Sequence, residues 1–92
     1  MIRVVAACSA LGLLAACAIP PQGVTQDQLQ WYDEAVASVG CKMVGESDYQ
    51  PVALQTGLTR EQLLKIGSYK LAAEQAVELQ DGGIQLTTGA CS

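Results

Sequence analysis

Apolar and polar positions divide this chain near residue 20. Residues 1–19 hold a single charge, Arg3, and almost no other polar side chain. From residue 25 onward the pattern is that of a small folded domain. Thr25 stands three positions before Gln28, with Val24 ahead of it and Leu29 behind. That is a capping box with a hydrophobic staple, in which two helix-start N–H groups are satisfied reciprocally. Asp27 falls in the first turn, where the helix dipole favours an anion. Leu29, Tyr32 (or Trp31), Val36 and Val39 recur at helical spacing, and Gly40 is a natural stop. The pattern predicts a helix over 25–39, with Cys41 just past its end.

The same start signal returns in Leu58-Thr59-Arg60-Glu61-Gln62-Leu63. Nothing else repeats, so this reads as convergent capping and not as a duplicated domain. It predicts a second, long helix from about 60 through Leu63, Leu64, Ile66, Leu71, Ala72, Ala73, Ala76 and Val77 to about 80. Positions 63, 64, 66 and 71 favour one side of that helix and 69, 72, 73 and 76 another. Burial on more than one side, or a bend near Gly67, is therefore expected. Between the helices, Lys42-Met43-Val44 is too short to assign, and Gly45-Glu46-Ser47-Asp48 reads as a turn. Residues 51–56 form a candidate short helix, with Pro51 at its first position and Gly57 at its end. Residues 77–86 fit two readings. One is a helix end stopped by Gly82, followed by an extended segment over 84–88. The other is a hairpin on an Asp81-Gly82 turn, pairing Leu79 with Ile84 and Val77 with Leu86. The alanine-rich approach favours the helix.

Composition narrows the picture. Ninety-two residues make one domain at most. Phe is absent, and the aromatics are Trp31, Tyr32, Tyr49 and Tyr69. A core this small is marginal without a staple. There is no histidine, which removes the commonest general base and metal ligand.

The leader carries a resemblance to a known class. Met1-Ile2-Arg3 is a short basic start, and Val4 to Leu14 is an apolar stretch of signal-peptide length. Leu14-Ala15-Ala16-Cys17 then resembles the lipobox of bacterial lipoprotein precursors. The resemblance covers about seventeen residues. It implies that residues 1–16 are a cleaved signal peptide and that Cys17 becomes a diacylglyceryl-modified N-terminus. Residues 17–24 are then the lipidated cysteine and a Pro-rich tether, which Pro20-Pro21 makes stiff and extended. Residues 25–92 are the folded domain. In enteric-type lipoproteins an aspartate after the cysteine retains the protein in the inner membrane. Ala18 stands there instead, which favours the outer membrane. An uncleaved anchor and an ordinary signal peptide are the other readings of residues 1–19.

On that reading Cys8 is discarded and Cys17 is consumed by lipid. Cys41 and Cys91 remain, in a protein exported to an oxidising compartment, and a Cys41–Cys91 disulfide follows. Its expected role is structural, since a redox pair would more often stand as Cys-x-x-Cys. The expected fold is mostly α: two main helices, a short one between them, and an extended C-terminal segment pinned by the disulfide. Cut before Cys17, the chain keeps four cations against nine carboxylates, a net charge of −5. That balance opposes nucleic-acid binding and binding to anionic lipid through charge.

Candidate chemistry is sparse. No catalytic residue, cofactor or metal site is expected: two thiols without histidine do not complete a zinc site. Neither Asp33 with Glu34 nor Glu46 with Asp48 forms a convincing carboxylate pair, and Ser38, Ser47 and Ser68 lack an activating base. Residues 49–68 resemble a DNA-binding helix-turn-helix through Ala53, Gly57 and Leu63, with Val52, Leu58 and Ile66 at other buried positions. That resemblance implies Thr59, Arg60, Gln62 and Lys65 facing DNA. A helix–turn–helix packing unit without DNA is the preferred reading. Trp31-Tyr32 is the candidate interaction surface: one of the two faces the core, and an exposed partner would touch lipid or protein. The expected function is that of a non-catalytic accessory or interaction lipoprotein. It is held to the membrane through Cys17 on the periplasmic side of the envelope and works with a protein partner there. A periplasmic enzyme inhibitor and, further off, a cytoplasmic helix-turn-helix regulator are the alternatives.

Overall fold

A computed structural model describes residues 19–92. Residues 1–16, expected to be a signal peptide, and Cys17, expected to carry lipid, lie outside the described residues. Three helices and a small antiparallel sheet follow one another: α1 (Gln26–Ser38), β1 (Lys42–Met43), α2 (Glu46–Thr56), α3 (Arg60–Ala72), β2 (Ala76–Glu78), β3 (Ile84–Leu86) and a 3-10 turn at Gly89–Cys91.

Both predicted capping boxes are present. Gln28 N–H donates to Thr25 Oγ1 at 3.1 Å, and Thr25 N–H donates to Gln28 Oε1 at 2.8 Å. Gln62 N–H donates to Thr59 Oγ1 at 3.1 Å, and Thr59 N–H to Gln62 Oε1 at 2.9 Å. Helix α1 stops where Gly40 predicts. Gly40 takes a left-handed φ of +97°, Gly40 N–H donates to Ala37 O, and Cys41 N–H donates to Val36 O. These two bonds satisfy carbonyls that the helix end would otherwise leave unpaired.

The middle of the chain corrects the expected turn and short helix. Residues 46–48 are not a turn but the first residues of α2, and Pro51 lies inside that helix. Gly45, at the N-cap, has no side chain to cap with. Asp48 instead fixes the chain just ahead of the helix by accepting the Val44 N–H at 2.9 Å, and its charge suits the helix start. Pro51 removes one helical donor, which would have faced the Ser47 carbonyl. The described residues thus hold three helices of comparable length, not two with a short one between.

The tail corrects the long second helix. Helix α3 ends at Ala72, with Glu74 N–H donating to Leu71 O and Gln75 N–H to Lys70 O. The residue in the left-handed position is Glu74, with φ +60°. Ala76 then belongs to β2 and Ala73 lies past the helix end, so much of the second apolar face is not helical. The hairpin is present, but in another register: Ala76 pairs with Leu86, Val77 with Gln85 and Glu78 with Ile84. Leu79 N–H donates to Gly83 O at 2.8 Å, and Gly82 N–H to Leu79 O at 3.1 Å. The loop therefore has three residues, Gln80, Asp81 and Gly82, with Gly82 left-handed at φ +93°. A two-residue Asp-Gly turn gives the register one step away.

Strand β3 is central, in the order β1-β3-β2, with Lys42 opposite Gln85 and Met43 opposite Ile84. Gly83 is forced by this packing. A Cβ there would lie 2.5 Å from the Met43 carbonyl oxygen and 2.8 Å from Val44 Cα. The core gathers Tyr32 and Val36 of α1, Val52 of α2, Leu63 and Ile66 of α3, Met43 of β1 and Leu86 of β3. Each such side chain taken fully from water contributes about 1.5–3 kcal/mol.

The Cys41–Cys91 disulfide closes the unit across 50 positions, with Cα atoms 5.7 Å apart. Cys41 sits at the junction: its N–H finishes α1, its carbonyl accepts from Leu86 N–H at 2.9 Å, and its sulfur holds the 3-10 turn. In the chain-entropy model a loop of this length is worth about 4 kcal/mol.

Candidate functional site

Three regions hold the side chains that bear on function. The first is the pair singled out on α1. Tyr32 is fully buried in the core, and burial pushes its phenol well above the ordinary tyrosine range, with Tyr49 and Asp33 adding to the effect. The candidate surface therefore reduces to Trp31, which is 48% exposed. Leu54 of α2 is the most exposed large apolar side chain among the described residues, at 82%.

The second region is a polar cleft of about 340 Å³ between the first half of α1 and the end of α3. Lys70 lies in it and is only 4% exposed. Its ammonium donates to Asp33 Oδ2 at 3.0 Å and to Gln75 Oε1 at 3.1 Å. Asp33 Oδ1 is nearer still, 2.8 Å from Nζ, but lies off the donor direction and makes no hydrogen bond. The contact to Oδ1 is thus coulombic, and the hydrogen bond runs to Oδ2. This group ties α1 to the end of α3, because Gln75 is also the residue whose N–H closes that helix. The sequence offered no sign of it: Asp33 and Lys70 are 37 positions apart.

The third region is the α2–α3 unit. Gly57 takes φ +73° in the turn, Leu63 is buried, and Ala53 packs against the core, so the helix-turn-helix spacing is realised as two packed helices. The four side chains that the resemblance directs at DNA are engaged within the protein. Thr59 and Gln62 form the capping box. Arg60 pairs with Glu46 and lies over the Tyr49 ring, 4.4 Å from its centroid. Lys65 lies 3.5 Å from Glu61, one turn back.

Among the described residues no helix is long and apolar enough to cross a membrane, and no group of three or more Cys, Asp or Glu is placed to hold a metal ion. The chain has no significant match among protein-family models, curated proteins or solved structures.

Proposed function

We propose that this chain is the precursor of a lipid-anchored, non-catalytic protein of the bacterial cell envelope. Residues 1–16 direct export, Cys17 carries the lipid, and residues 25–92 are displayed on the periplasmic side as an accessory or interaction subunit. The observation that carries this reading is the pairing of cysteines. The Cys41–Cys91 disulfide uses the two thiols that the lipobox reading leaves over, and it is central to a domain with a small core. Disulfides of this structural kind persist in oxidising compartments. Ala18 after the anchor favours the outer membrane.

The half-exposed indole of Trp31 is the side chain best suited to a protein partner, because aromatic anchors dominate interface energetics. Arg60 held by Glu46 and Tyr49 supports the packing role of the α2–α3 unit over a nucleic-acid role.

Metabolic labelling with a fatty acid tests the proposal. Label should enter the protein, and a Cys17→Ser variant should lose the label and leave the membrane fraction. Full retention of label in Cys17→Ser contradicts it. A photo-crosslinking residue at position 31 should then trap an envelope protein.

A further inference from the structure

We infer that the outward face of α3 beside the tether is the surface this domain lays against a phospholipid bilayer. The inference rests on the lipid-anchor reading of Cys17 and adds an orientation to it. Ile19 is 72% exposed and two residues from Cys17, so at most about 7 Å of chain separates the two. Beyond Ile19 the chain does not lead straight away as a stiff spacer. Val24 N–H donates to Pro21 O at 3.3 Å, and Gly23 takes φ +81°, so residues 21–24 form a turn. This turn sets the tether beside α3. Ile19 and Pro21 line one side of an open groove of about 430 Å³, and Lys65, Ser68, Tyr69 and Ala72 line the other. Whatever holds Cys17 in the membrane holds this groove near it.

The face is suited to a lipid surface. Leu64, Ser68 and Ala72 follow at four-residue spacing, are all exposed, and form one stripe along α3. Leu64 is an uncovered apolar side chain on that stripe, one position before Lys65 of the groove. Lys65 has a long aliphatic stem that lies on apolar surface while its charge stays among headgroups. The cations of α3 are all paired, Arg60 with Glu46, Lys65 with Glu61 and buried Lys70 with Asp33, so this helix is close to neutral. Helix α1 keeps Asp27 and Glu34 with no cation of its own to offset them. An anionic bilayer therefore repels α1 more than α3.

The test uses the lipidated mature protein in vesicles of equimolar phosphatidylcholine and phosphatidylglycerol with brominated acyl chains. Trp31 is the chain's one tryptophan, so Trp31→Tyr gives a silent background. Leu64→Trp and Leu54→Trp are then added singly, both at exposed sites that tolerate the larger ring. Leu64→Trp should lose most of its emission and shift to shorter wavelength, and Leu54→Trp should keep its emission. Equal quenching at both positions, stronger quenching at 54, or none at 64 overturns the orientation while leaving the anchor intact. A mass lacking lipid on Cys17 in the same preparation overturns the anchor reading, and the orientation falls with it.

Discussion

Lys70, almost wholly removed from solvent on α3, is neutralised by Asp33 of α1, whose carboxylate is 42% exposed and keeps one side in water. The pair is asymmetric, and so are the expected consequences of cutting it. Asp33→Ala leaves a buried ammonium with only the Gln75 amide for company, which should cost about 3 kcal/mol. Lys70→Met removes the buried charge and leaves a carboxylate that water can solvate, so its cost should be about 1 kcal/mol or less. Urea denaturation of both variants checks this. Equal losses would mean that the pair's attraction, and not the burial of the lysine, dominates.

Gly83 sets how closely the hairpin approaches β1. Gly83→Ala places a methyl group against the Met43 carbonyl and the Val44 backbone, neither of which is a flexible side-chain end. A loss of about 2–3 kcal/mol is expected, at the upper end of what overpacking costs. The thermal midpoint should fall accordingly, while helical circular dichroism below the transition stays unchanged.

Glu74 occupies the left-handed position after α3 that a glycine fills at the ends of α1 and α2. Glu74→Gly relieves that backbone and should stabilise the domain by about 1 kcal/mol, offset in part by greater freedom of the unfolded chain. A lower midpoint than the parent would show that the Glu74 side chain matters more than its φ.

Tyr32 makes stability fall in alkali. Its folded-state pKa lies above its unfolded value near 10, because burial penalises the phenolate. Above pH 10 the unfolded chain has therefore released a proton that the folded chain still holds. The stabilisation is full below pH 10 and is lost as pH rises from there towards the folded value, at up to about 1.4 kcal/mol per pH unit. Tyr49 is shifted in the same direction, with burial as the first cause and Asp48 as the second. A Tyr32→Phe variant should show a shallower decline above pH 10 in a denaturant titration series. An unchanged slope would remove Tyr32 from the account.

Local chemistry was legible wherever a few adjacent residues decide the structure. Thr25 with Gln28 and Thr59 with Gln62 mark two helix starts, and Gly40 marks the end of α1. The sequence was less informative where distant groups decide. Ahead of α2 the chain is fixed by Asp48 reaching back to Val44, while Gly45 has no side chain to cap with. The end of α3 has no glycine at the stop, so the alanine-rich run reads as continuous helix. The hairpin register turned on whether the loop holds two residues or three, which Asp81-Gly82-Gly83 leaves undecided without the contact of Gly83 with β1. At the candidate site, the exposure of Trp31 and burial of Tyr32 follow from which side of α1 meets α2 and the sheet. The Lys70–Asp33–Gln75 group exists only because α1 and the end of α3 are brought together.

The most direct measurement for the proposed envelope role is the intact mass of the protein extracted from membranes, with and without reduction and thiol alkylation. The account predicts a chain lacking residues 1–16, with a diacylglyceryl group and an acyl chain added at Cys17, and two alkylatable thiols only after reduction. An unmodified full-length mass with Cys41 and Cys91 free before reduction would contradict both the anchor and the compartment.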